Sequence, residues 1–118
     1  MIVLDIEATG VNYQKHSILS LGALDFNNPE NRLYLECQAW EGAHIDPEAI
    51  AVCGFTEAEA TDDTKQTEAQ LIAQFLTWAE SIEDQTLLGQ NVLPQCVSRF
   101  YVETADRFPA ADKAVNAR

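Results

Sequence analysis

The sequence predicts an α/β domain on a mixed sheet, with an antiparallel hairpin beside a parallel crossover. Three observations predict it. The stretches 17–26 (SILSLGALDF) and 32–37 (RLYLEC) flank the turn cluster Asn27-Asn28-Pro29-Glu30-Asn31, which is the pattern of a hairpin. The opening run MIVLDIEATG is apolar on both faces until its carboxylates begin, as expected of a central strand covered on both sides. An amphipathic segment at 67–82 is followed by the apolar run TLLG at 86–89, and a helix followed by a strand supplies the crossover that parallel pairing needs.

Each element follows from its local pattern. In the first strand, residues 2–6, Ile2, Leu4 and Ile6 face one way while Val3, Asp5 and Glu7 face the other, because side chains alternate along a strand. Thr9-Gly10 ends it, and residues 11–15 read as a polar loop. In the third strand Leu33, Leu35 and Cys37 alternate with polar neighbours. Residues 38–63 read as connection with short helical pieces: Asp46-Pro47 opens one over 48–52, Cys53-Gly54 stops it, and Thr56 with Glu59 makes a capping box for the next. Thr67 with Gln70 makes a second capping box. Leu71, Ile72, Phe75, Leu76, Ala79 and Ile82 then fall on one helical stripe, with Trp78 off it and half exposed. Residues 97–108 have helical spacing ended by Pro109, and 110–118 read as a frayed tail.

With 118 residues the chain makes one domain. No run approaches the roughly 18 apolar residues that would span a membrane, and no basic segment precedes an apolar stretch as in a secretory signal. Cys37, Cys53 and Cys96 are odd in number and widely spaced; they are expected as free thiols in a reducing cytoplasm. The net charge of −12 is uneven. Residues 1–98 hold 16 acids and three bases, and residues 99–118 hold three acids and four bases. An acidic body argues against tight, metal-free binding of nucleic acid, but not against a nuclease whose site is itself made of carboxylates.

Asp5 and Glu7 are that kind of pair. Two residues apart on a strand, their Cα atoms lie about 6.5–7 Å apart on one face, close enough to share divalent cations with water and a phosphate. The motif LDIEATG, followed by Ile18, Leu21, Gly22 and Ala23 in the next strand, resembles the first motif of the DEDD-type 3′–5′ exonucleases, which have a ribonuclease-H-like fold. The likeness continues through IDPEAIAVCGFTEAEA, TEAQLIAQFLTWAE and LLGQN, covering about residues 1–107.

The resemblance implies an exonuclease-like domain at 1–108 with a tail at 109–118. It implies metal-dependent hydrolysis of terminal phosphodiester bonds, with Asp5 and Glu7 as catalytic metal ligands for Mg²⁺ or Mn²⁺ in a two-metal site. Ala8, Thr9, Gly10 and Asn91 would contact the 3′ end of single-stranded DNA or RNA.

The sequence also departs from the family pattern. The place of the second-motif aspartate holds Gln95 when counted forward from Asn91, and Val97 when counted back from Phe100. His16 and His44 come too early to serve as the third-motif histidine and read as loop residues. The general base that would deprotonate the attacking water is therefore missing. The expectation is a domain truncated at the C-terminus, with very low activity. Its uncovered sheet would invite a homodimer or a protein partner. The alternative is a noncatalytic module that binds a protein partner or a nucleic-acid end.

Overall fold

A computed structural model of the chain describes residues 1–12 and 14–89, together with the backbone of residues 115–116. Among the described residues five strands form one sheet in the order β3-β2-β1-β4-β5: β1 (Ile2–Ala8), β2 (Ile18–Asp25), β3 (Asn28–Glu36), β4 (Leu87–Gly89) and β5 (Val115–Asn116). The helices are α1 (Pro47–Cys53), α2 (Glu57–Ala60) and α3 (Glu68–Ala79). β1 pairs antiparallel with β2 and parallel with β4, so the predicted hairpin and crossover both form.

The hairpin is tighter than its composition suggests. β3 begins at Asn28, inside the expected turn, and Asp25 pairs with Asn28 across a register shift. The Asp25 carboxylate accepts the Asn27 N–H at 3.0 Å, closing the bend. Pro29 sits in this strand without conflict because β3 is an edge, where a missing N–H costs no ladder bond.

Ile2, Leu4, Leu21, Ala23 and Leu87 from the sheet pack against Leu71, Ile72, Phe75, Leu76 and Ala79 of α3. The helical stripe therefore lies on the sheet as its spacing predicts. Both sides of the α3 capping box form, with Thr67 Oγ accepting the Gln70 N–H and Gln70 Oε1 accepting the Thr67 N–H. The helix stops at Ala79 rather than Ile82. Its last carbonyls are taken by side chains beyond it, Ser81 Oγ donating to Trp78 O and Gln85 Nε2 to Ala79 O. Trp78 packs at the margin of the core and donates Nε1–H to Asn31 Oδ1 at 2.9 Å, tying α3 to β3.

Leu19, Ile50 and Ala60 form a second cluster with Ala39, Ile45 and Phe55, seating α1 and α2 beside the sheet. α1 begins at Asp46, whose carboxylate accepts the Glu48 N–H, with Pro47 in the first turn. It ends at Gly54 in the left-handed region (φ 80°), where glycine meets no steric penalty.

The expected helix at 97–108 lies outside the described residues. Of the expected tail, Val115–Asn116 is a strand, paired in parallel with Leu88 and Gly89 of β4. An extended pair can add to an open sheet edge whatever its own composition, which is why local sequence did not reveal it.

Candidate functional site

β1 runs two residues past its expected end, to Ala8, and carries Glu7 within the strand. Ile2 and Leu4 are buried toward α3, so alternation puts Asp5 and Glu7 together on the opposite face. Asp5 is exposed and Glu7 half-buried. Gly22 of β2 pairs with Asp5 and Ser20 with Glu7. A Cβ built on Gly22 meets nothing within 4 Å, so the surface beside Asp5 is open. A side chain at that position would fill space that a ligand of Asp5 can use.

Glu7 borders a cavity of about 460 Å³ between the end of β1 and α1. Glu7, Ala8, Gly10 and Val11 line one wall, and Ala49, Val52 and Cys53 the other. Val11 and Val52 stand at its mouth, 71% and 88% exposed, which is unusual for two branched apolar side chains and leaves them available to a ligand. The Cys53 thiol donates to Ala8 O at 3.8 Å. Burial first, and then the neighbouring Glu7 carboxylate, push its pKa up to about 11. The sequence marks Cys53 as a helix stop and a free thiol, which it is; its position beside Glu7 arises from packing across a separation of more than forty residues.

The turn after Glu7 is held from within. Thr9 is wholly buried. Its hydroxyl donates to His44 O at 2.8 Å and accepts the Ser17 N–H at 2.9 Å. Its backbone N–H donates to Ser17 O, and its carbonyl accepts the Asp46 N–H. The Thr9 side chain thus braces the site. Gly10 lines the cavity on one side and carries the His16 imidazole on the other, where a Cβ would lie 2.3–2.6 Å from ring atoms. Glycine is required here by that ring. His16 and His44, expected as loop residues, form an isolated parallel bridge with their rings edge-on, centroids 6.2 Å apart.

Asp5 and Glu7 offer hard oxygen donors, and neither is held in an ion pair among the described residues. Such donors, unneutralised and facing open space, suit Mg²⁺ or Mn²⁺. Among the described residues no group of three or more His, Cys, Asp or Glu side chains could enclose a metal ion. What these residues provide is two carboxylates on one face of a strand. Asn91, expected near the substrate, and Gln95, Val97 and Cys96 lie outside the described residues.

A central strand bearing two carboxylates, an antiparallel hairpin on one side and a parallel crossover strand on the other make a mixed α/β fold that is also seen in solved exonuclease I structures. No protein-family model matches the chain, and no curated protein matches it. Solved structures do. The product-bound structure of exonuclease I superimposes with a TM-score of 0.71 and 15% identity, covering 98% of this chain and 29% of that one. The zinc-bound form of the E. coli exonuclease I–ssDNA complex gives 0.71 at 16% identity over 98% of this chain and 27% of that one. An exonuclease I/SSB-Ct complex gives 0.73 at 17%, with the same coverage. At these identities the likeness is one of fold. The chain spans less than a third of the length of these exonuclease I chains.

Proposed function

We propose that this chain is the metal-binding half of a 3′–5′ exonuclease site, acting on the 3′ end of single-stranded DNA or RNA. The observation that carries this reading is the placement of Asp5 and Glu7 on one face of β1, beside the open surface at Gly22 and at the edge of an apolar cavity. Mg²⁺ or Mn²⁺ held by the two carboxylates would supply charge neutralisation and activation of water at the terminal phosphodiester. Asp5 and Glu7 would hold the ion, while Ala8 and Gly10 would present backbone to the terminal nucleotide. Val11, Ala49 and Val52 receive its apolar surface, excluding water from that side. Thr9 and Asp46 fix the turn that joins these groups. Addition of water to the terminal phosphorus with cleavage of its P–O3′ bond would release a nucleoside 5′-monophosphate and leave a 3′-hydroxyl on the shortened strand.

Metal titration by calorimetry tests the reading. The wild-type chain is expected to bind Mn²⁺ weakly at a site lost in Asp5→Ala and Glu7→Ala. Equal heats in all three would remove the site.

The absence of a third metal-ligating side chain among the described residues favours a second reading, a noncatalytic module binding a protein partner or a nucleic-acid end. End-labelled single-stranded DNA and RNA with Mn²⁺ separate the two. Shortening abolished by Glu7→Ala supports hydrolysis, whereas retained metal binding without shortening supports the module. We expect at most slow shortening by the isolated chain, because the carboxylates of the first motif lack a general base among the described residues.

A further inference from the structure

We propose that Glu68 is a positioning residue for the carboxylate turn, acting through a buried relay of hydrogen bonds that runs Glu68–Ser17–Thr9–Asp46. This inference rests on the metal-site reading above and assigns a role to a carboxylate outside that site. Glu68 is the first residue of α3 and only 6% exposed. A buried carboxylate is costly unless several donors meet it, and here the helix N-terminus is joined by two specific ones. Ser17 Oγ–H and the Ile18 N–H both donate to Glu68 Oε2 at 2.9 Å.

These two donors belong to the start of β2, where a register shift between Glu7 and Ala8 pairs Ala8 with Ile18 and bypasses Leu19. A break in the ladder leaves that junction with fewer backbone bonds to hold it. Glu68 supplies the replacement from another element. Ser17 passes the restraint on, accepting the Thr9 N–H at its carbonyl and donating its own N–H to Thr9 Oγ. Thr9 O then accepts the Asp46 N–H at 2.8 Å, and Asp46 caps α1. Three segments distant in sequence are thereby fixed together: the end of β1 that carries Glu7, the start of β2, and the helix forming the far wall of the cavity. None of the relay's bonds touches the proposed metal position, so Glu68 acts only through geometry.

Amide hydrogen exchange and Mn²⁺ titration of the 118-residue chain test the relay. Glu68→Ala is expected to speed exchange at Thr9 and Asp46 about tenfold more than at Leu4 and Ala23, two core strand positions. Mn²⁺ affinity should fall about fivefold or more in the same variant. Glu68→Gln should be intermediate, since its amide oxygen still accepts the Ile18 N–H. Equal acceleration at all four amides would show a role in global stability alone and overturn the proposal. So would unchanged Mn²⁺ affinity in a variant whose Thr9 exchange has risen. If Glu68→Ala does not fold, Ser17→Ala, which removes the hydroxyl that donates to Glu68 and accepts the Trp40 N–H, is judged by the same criteria. If Asp5→Ala binds Mn²⁺ as the wild type does, the metal site fails on its own account. The exchange pattern then upholds or overturns the relay by itself.

Discussion

Gly10 offers the sharpest test of how the site turn is packed. In Gly10→Ala the new methyl carbon would lie 2.3 Å from His16 Cδ2, 2.4 Å from Nε2 and 2.6 Å from Cε1. Ordinary carbon contacts begin near 3.5 Å, so the ring must retreat by about 1 Å. It is not free to do so. His16 Nδ1 lies 3.1 Å from both the N–H and the carbonyl of Asn12, and the ring meets His44 edge-on. Overpacking of this kind costs about 1–3 kcal/mol, partly offset by about 0.4–1 kcal/mol from the stiffer unfolded chain. We expect a net loss of about 1–2 kcal/mol, seen as a fall in urea midpoint at unchanged slope. His16→Ala in the same chain should remove most of the penalty, giving a coupling energy of about 1 kcal/mol or more in the double-mutant cycle. Gly22→Ala is the internal control, because its methyl meets nothing within 4 Å and stability should change by less than about 0.5 kcal/mol. Equal costs for Gly10→Ala with and without His16 would refute the account.

Two further outcomes follow from the core. Phe75, 2% exposed within the α3 stripe, should cost about 3–5 kcal/mol on truncation to alanine, and thermal melting would show whether a fold of ordinary marginal stability survives that loss. The Cys37 thiol is pushed from 9.0 up to about 12, first by burial and then by the Glu68 charge. The folded chain therefore holds this proton more tightly than the unfolded chain. The resulting stability is complete below pH 9 and is lost as pH rises toward 12, at up to about 1.4 kcal/mol per pH unit. Cys37→Ala should lower stability at pH 8 yet flatten the alkaline decline in urea midpoints. An unchanged decline would assign it to other groups.

The parts legible in the sequence are those set by periodicity and local capping. The alternation at Ile2, Leu4 and Asp5 placed the carboxylates on their face, and Thr67 with Gln70 marked where α3 starts. Asp46-Pro47 and Gly54 bracketed α1 to within a residue at each end. What could not be read was long-range. The Thr9 hydroxyl bonds His44, thirty-five residues away, and nothing in the turn's own composition signals that partner. Val11 was read with a polar loop, although it stands exposed at the mouth of the cavity. Beyond Ala79 the chain tightens to i+3 bonds, with the Ser81 and Ile82 N–H groups donating to Trp78 O and Ala79 O, a change of turn that hydrophobic spacing cannot resolve.

The electrostatics link the two readings of the site. Among the described residues the side-chain cations are Lys15, Arg32 and Lys65, and Lys65 is already paired with Glu36 at 3.2 Å. A phosphodiester approaching Asp5 and Glu7 therefore meets two carboxylates and a cavity wall without a lysine or arginine. Among the described residues no basic side chain lines that face to supply counterion release, the usual source of binding to nucleic acid. A bound cation would reverse the sign of the field there. Metal binding and substrate binding are then one linked event under the exonuclease reading. A module that binds a basic protein surface would instead be weakened by the same ion. The sign of the metal's effect on partner affinity thus separates a nucleic-acid partner from a basic protein partner even where turnover is too slow to see.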